Sequence, residues 1–208
     1  METKKMRKSG ILFGIVVLVM TLNGCAKPPQ ANIDAAKGSV EAARTAEAGT
    51  YAQASLRSAE DSLAQLDAEL KAQEDKFALF RSYKHADELA ASAKAAGDKA
   101  AADAKAGKEQ KKQEAQAAIN DAKASLDEAN AALATAPTGK GTSADLATMK
   151  ADLEGVSSAI QEAENMMASD KFMDAKAKAD AAKQTTQSVK TAVEEAKAAK
   201  MAAHGGKK

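Results

Sequence analysis

The chain has no tryptophan, a single cysteine, three prolines and two histidines in 208 residues, and aromatics make up only 3% of it. With Cys25 as the only thiol, an internal disulfide is impossible and a metal cluster held by thiolates is excluded. His85 and His204 have no Cys or His at ligand spacing, so no metal site is expected. The formal net charge is +1, without the basic excess that marks a nucleic-acid binder, and no nucleic-acid partner is expected. So few aromatic residues cannot readily fill a β-sandwich or barrel. Alanine, the best helix former, dominates instead, surrounded by Lys, Glu, Gln and Asp. The chain therefore reads as all-α.

The amino-terminal segment has a different character. Lys4, Lys5, Arg7 and Lys8 precede an apolar run from Ile11 to Met20, the layout of a secretory leader. An uncleaved membrane helix would need roughly 20 apolar residues, and this run reaches Asn23 too soon. Leu22-Asn23-Gly24-Cys25 resembles the lipobox of bacterial lipoproteins. That resemblance implies cleavage between Gly24 and Cys25, acylation of Cys25, and attachment to a membrane through the acyl chains. Ala26 stands where an aspartate would retain an enteric lipoprotein at the inner membrane, so the resemblance points to the outer membrane, facing the periplasm. Residues 1–24 are thus read as signal peptide and 25–32 as a lipidated tether containing Pro28 and Pro29. Loss of the leader removes four basic groups and one acidic group and takes the formal charge from +1 to −2.

Beyond the tether, apolar residues recur at alternating spacings of three and four, as in coiled coils. The seams run through Ile33, Ala36, Val40 and Ala43; through Leu56, Ala59, Leu63, Leu66, Leu70, Gln73, Phe77 and Phe80; and through Tyr83, Ala86, Ala90, Ala93, Gly97, Ala100 and Ala104. Further seams run through Ala115, Ile119, Ala122, Leu126, Ala129 and Leu133; Leu146, Met149, Leu153, Val156, Ile160, Ala163 and Met167; and Phe172, Ala175, Ala179, Ala182, Thr186, Val189, Val193 and Ala196. Gly49-Thr50 and Ser169-Asp170 read as stop and start signals, Ser82 as a weaker start, and Pro137 to Ser143 as a loop. Five helices are expected, over about 33–48, 51–81, 83–136, 144–168 and 171–203. Whether Ser82 interrupts the second and third is left open by the seam, which could also continue through it.

An internal duplication supports the interruption. Leu56, Leu63, Leu66, Leu70 and Phe77 align with Leu146, Leu153, Val156, Ile160 and Met167 at an offset of 90 residues, and Tyr83 to Ala93 with Phe172 to Ala182 at 89. Tyr51, Tyr83 and Phe172 each open a helix pattern with an aromatic, two residues and an alanine. The seam changes phase in the polar stretch from Lys105 to Glu114, which reads as a joint. The expected architecture is an elongated antiparallel bundle of two three-helix units, 33–106 and 107–203, sharing one long helix of about 80 Å. Residues 204–208 are expected to form a flexible basic tail.

Thr50 to Leu63 followed by Tyr83-Lys84-His85-Ala86 resembles a family of envelope lipoproteins whose alanine-rich helical domain, itself of unknown function, often precedes an OmpA-like domain. No OmpA-like segment follows here, so wall binding through that domain is not implied. Lys208 matches the terminal lysine by which some envelope lipoproteins attach to peptidoglycan. The tetratricopeptide pattern is missing its period of about 34. Gly139-Lys140-Gly141-Thr142 departs from a phosphate loop at its first glycine and its last position.

No catalytic, cofactor or metal constellation is expected; the acids accompany lysines at helical spacings, as a solvated face does. Met166, Met167 and Met173 read as core, with a pliable contact surface as the other reading. The expectation is a non-catalytic envelope lipoprotein acting as a spacer, scaffold or interaction module. The alternative is a periplasmic carrier or chaperone holding apolar clients between alanine faces. Envelope proteins or peptidoglycan are the partners considered. A homo-oligomer is open as well, since a second copy would cover an alanine face but nothing at the e and g positions selects one.

Overall fold

The computed structural model describes residues 26–137 and 143–205. All regular structure there is helical: α1 Gln30–Thr45, α2 Ala48–Tyr51, α3 Gln53–Glu74, a single 3₁₀ turn Ala78–Phe80, α4 Lys84–Ala134, α5 Ser143–Ala168 and α6 Phe172–Gly205. The expected all-α bundle is the fold, with six α-helices in the described residues rather than five.

Several boundaries differ from expectation. α1 begins at Gln30, because Pro29 occupies the position before the first turn and its carbonyl accepts the N–H groups of Asn32 and Ile33 at 3.0 and 3.1 Å. A proline lacks an N–H that this position would leave unpaired anyway. The stop expected at Gly49 occurs at Glu47, whose φ of 61° is left-handed; Gly49 and Thr50 instead lie inside the short α2. α3 ends at Glu74, not Arg81. The break at Ser82 is present, and α4 starts at Lys84.

The chain divides into two compact units between Gly107 and Lys108. The backbone stays helical across that division, since α4 runs unbroken for 51 residues. In the first unit, Ile33, Ala36, Leu66, Tyr83, Ala86, Ala90 and Ala93 form one buried cluster, and Val40, Ala43, Ala48, Ala59, Ala100 and Ala104 another. Small side chains let the helices approach closely. A β-carbon added to Gly97 would sit 2.8 Å from the backbone of Ser39 and Val40, and one on Gly107 would sit 2.5 Å from the Tyr51 carbonyl oxygen. Ordinary contact begins beyond about 3.5 Å, so glycine is required sterically at both places.

Ion pairs show the register of this unit. Lys37 pairs with Asp67 at 3.7 Å and Arg44 with Glu60 at 2.8 Å. Seven residues forward on α1 match seven backward on α3, so the two are antiparallel. Asn32 Nδ2 donates to Asp87 Oδ1 at 2.5 Å, which places the beginnings of α1 and α4 at one end.

The second unit buries Ile119, Ala122, Val156, Ile160, Ala163, Ala179 and Ala182 in one cluster, Ala129, Leu153, Val189 and Val193 in another, and Ala115, Phe172 and Ala175 in a third. Lys108–Asp170, Asp121–Lys183 and Glu128–Lys190 are each 62 residues apart, so α4 and α6 run parallel in constant register. α5 ends in a Schellman turn: Lys171 N–H donates to the Met166 carbonyl at 2.9 Å and Asp170 N–H to that of Met167 at 3.2 Å. Asp170 takes the left-handed position with φ 58°. Ser169 does not start α6 as expected; its hydroxyl bonds back to the Asn165 carbonyl at 3.0 Å.

Candidate interaction surface

The connection between α3 and α4 has the composition of a core and the exposure of a surface. Phe77, Leu79 and Phe80 are 69%, 76% and 76% exposed. The two rings lean on each other with centroids 6.4 Å apart and planes tilted by 51°. Burying each such side chain would contribute about 1.5–3 kcal/mol, which the fold forgoes at three neighbouring positions. The expectation that Phe77 and Phe80 continue the α3 seam is therefore corrected. The helix ends before they can turn inward.

What ends it is a set of polar contacts. The Arg81 guanidinium donates through Nη2 to the Glu74 carbonyl at 2.7 Å and through Nε to the Lys76 carbonyl at 2.9 Å. It thereby satisfies acceptors that the end of α3 leaves open. Gln73, 5% exposed, donates from Nε2 to Glu69 at 2.7 Å and accepts the Ser82 N–H at 3.0 Å. Phe80 N–H closes the 3₁₀ turn onto the Phe77 carbonyl at 2.9 Å. The tip is thus braced on both flanks while its apolar side chains face solvent.

The second unit resolves the position that aligns with Phe77 in the sequence differently. Met167, the counterpart of Phe77, packs with Met166 against Phe172 and Ala175, and the Schellman turn leads into α6 within three residues. At these aligned positions Phe77 is exposed whereas Met167 is partly buried. Leu79, Gln73 and Arg81 were not singled out as functional from sequence. The signal was Phe77-Ala78-Leu79-Phe80 itself, because four consecutive apolar residues cannot share one helix face.

Of the other residues marked in the sequence, Tyr83 and Phe172 are buried at 7% and 3% exposure, each in the core of its own unit. Tyr51 is half-buried at the end of α2. Gly24, Cys25, Lys208 and the loop Gly139 to Thr142 lie outside the described residues. Met173 is 49% exposed.

The charged groups are arranged as helix-surface pairs. The Lys99 ammonium and the Ser55 hydroxyl bond the Asp103 carboxylate and hold it below the ordinary aspartate range. Lys111 and Gln110 do the same for Glu114, and Lys190 for Glu128. His85 lies 3.6 Å from Glu88. Among the described residues no three of His, Cys, Asp and Glu gather as a metal ion would require. An open depression on the outward face of α3, lined by Gln53, Arg57, Asp61 and Gln65, and another along Asp152, Val156, Lys178 and Thr185 are both shallow. Among the described residues no helix is long and apolar enough to cross a membrane.

The fold and surface define an all-α bundle protein with an apolar tip. Comparison with protein-family models, curated proteins and solved structures returns no match.

Proposed function

We propose that the chain is a lipid-anchored structural lipoprotein of the bacterial envelope, held at the outer membrane and facing the periplasm, where it acts as a non-catalytic spacer or interaction module. The observation that carries this reading is Leu22-Asn23-Gly24-Cys25 directly after a basic and then an apolar stretch. A thiol placed there suits acylation, and two or more acyl chains anchor stably where one alone binds only marginally. The resemblance of Thr50 to Ala86 to envelope lipoproteins supports the same class. The helical units, with charged pairs on their surfaces, would present an extended solvated face to other envelope proteins or to peptidoglycan, the latter through Lys208 if that lysine is linked to it. The carrier reading is less favoured by the packing. The alanine faces it would use are buried against one another, and a client would have to separate them.

The test is Cys25→Ser in cells, followed by membrane fractionation and mass spectrometry of the mature amino terminus. The expected result is loss of the acyl mass and release from the membrane fraction. Unchanged attachment and processing in the variant would overturn the proposal.

A further inference from the structure

We infer that the Phe77-Leu79-Phe80 tip is a second membrane contact, inserting its side chains into the interface of the bilayer that holds the acyl anchor. The inference rests on the lipoprotein reading of Cys25. It comes from where the anchored end falls in the fold. Asn32 on the first turn of α1 bonds Asp87 on the first turn of α4, and Ile33 shares a buried cluster with Leu66, Tyr83 and Ala86. The start of α1 and the connection from α3 to α4 therefore occupy the same end of the first unit.

The tether between them and the bilayer is short. Gln30 is already helical, so from Cys25 the chain reaches at most about 17 Å, at the maximum rise of an extended residue. From Tyr83, in the cluster with Ile33, back to Phe80 is three residues, about 10 Å by the same measure. An anchored chain thus holds the tip within reach of the lipid surface.

The tip has the chemistry for that occupant. Its three large apolar side chains project from a braced turn rather than lining a groove, which suits entry into a fluid interface. The exposed Lys76 and Lys84 flank them, beside Glu74 and Asp75. Long basic side chains of this kind keep their charge at the headgroups while their stems lie along apolar surface, and anionic lipids attract them. The second unit, which carries no anchor motif, turns the equivalent Met167 inward.

The chain has no tryptophan, so Phe80→Trp places a single fluorophore on the tip. The full chain is expressed in bacteria, purified from membranes in its processed form, and reconstituted into phosphatidylethanolamine and phosphatidylglycerol vesicles with or without brominated acyl chains. A Thr50→Trp protein, with its probe at the opposite end of the first unit, serves as control. The expected result is loss of most tip emission on brominated lipid, with the control emission retained. Leu79→Trp should repeat the loss, and circular dichroism should show the parent helicity in each variant.

If mass spectrometry finds acyl chains on Cys25 but brominated lipid leaves the tip emission unchanged, the inference fails and the lipoprotein reading stands. If Cys25 carries no acyl chains, that reading fails and takes this one with it. Shielding of the tip probe without lipid, together with sedimentation as a dimer, would assign the tip to a second copy and overturn the membrane contact.

Discussion

Thr186 is fully buried, and Ser125 beside it is 8% exposed. The Thr186 hydroxyl has one hydrogen, which it donates to the Lys183 carbonyl at 2.6 Å, so the 2.5 Å contact with Ser125 must use the Ser125 hydrogen. Thr186→Val would then strand the Ser125 donor, at about 1–3 kcal/mol for an unpaired buried group. Replacing both residues, Ser125→Ala with Thr186→Val, removes donor and acceptor together and should recover most of that loss. Urea denaturation of the two single variants and the double checks this; a double variant no more stable than Thr186→Val would refute the pairing. Thr186 was legible as a seam position, whereas Ser125 was not. A hydroxyl on an inward face is recognised as core only when its partner is known. Glu47 and Asp170 were illegible for a related reason. Left-handed backbone at non-glycine residues is imposed by the surrounding packing, and no local signal announces it.

At the scale of helices, heptad spacing located nearly every inward face. Ile33, Ala36, Val40 and Ala43 are all buried, as are Leu153, Val156, Ile160 and Ala163. Periodicity states which face is apolar as long as the helix continues, and that condition failed at the end of α3. There Arg81 and Gln73 bind the chain across the break, contacts between residues up to nine positions apart that no repeat pattern records. The tip was therefore assigned to the core it faces away from. Charge spacing was more informative than its energy suggests. Exposed pairs contribute little to stability, yet Asp121–Lys183 and Glu128–Lys190 repeat seven residues apart on both helices and fix their register.

These pairs make stability depend on acid. The carboxyls of Asp103, Glu114 and Glu128 all titrate below their ordinary values because bonded lysines favour the ionised form. Their contribution is complete above the unfolded values of about 3.9 for Asp and 4.3 for Glu. It is lost as pH falls through the lower folded values. The urea midpoint should therefore be level near neutrality and fall below about pH 4, less steeply in 1 M salt, where exposed charges are screened. A midpoint independent of pH between about 5 and 2 would show that the pairs contribute nothing.

For the molecule as a whole, the consequential feature is one helix serving two cores. Leu66 is fully buried among Ile33, Tyr83 and Ala86, whereas Ile119 is fully buried with Ala122, Val156 and Ile160. Between the last core residue of the first unit on α4, Ala104, and the first of the second, Ala115, the helix has no buried side chain. A helical stretch without a buried face couples its two ends weakly, because most helix stability in proteins comes from packing of an apolar face. Leu66→Ala should cost about 2–5 kcal/mol, and that loss should stay in the first unit. Hydrogen exchange read by mass spectrometry should show lost protection over residues 30–104 with 115–200 nearly unchanged, and Ile119→Ala should give the reverse. Loss spread evenly over both stretches in either variant would mean that α4 transmits unfolding through its polar middle, and that the two cores melt as one.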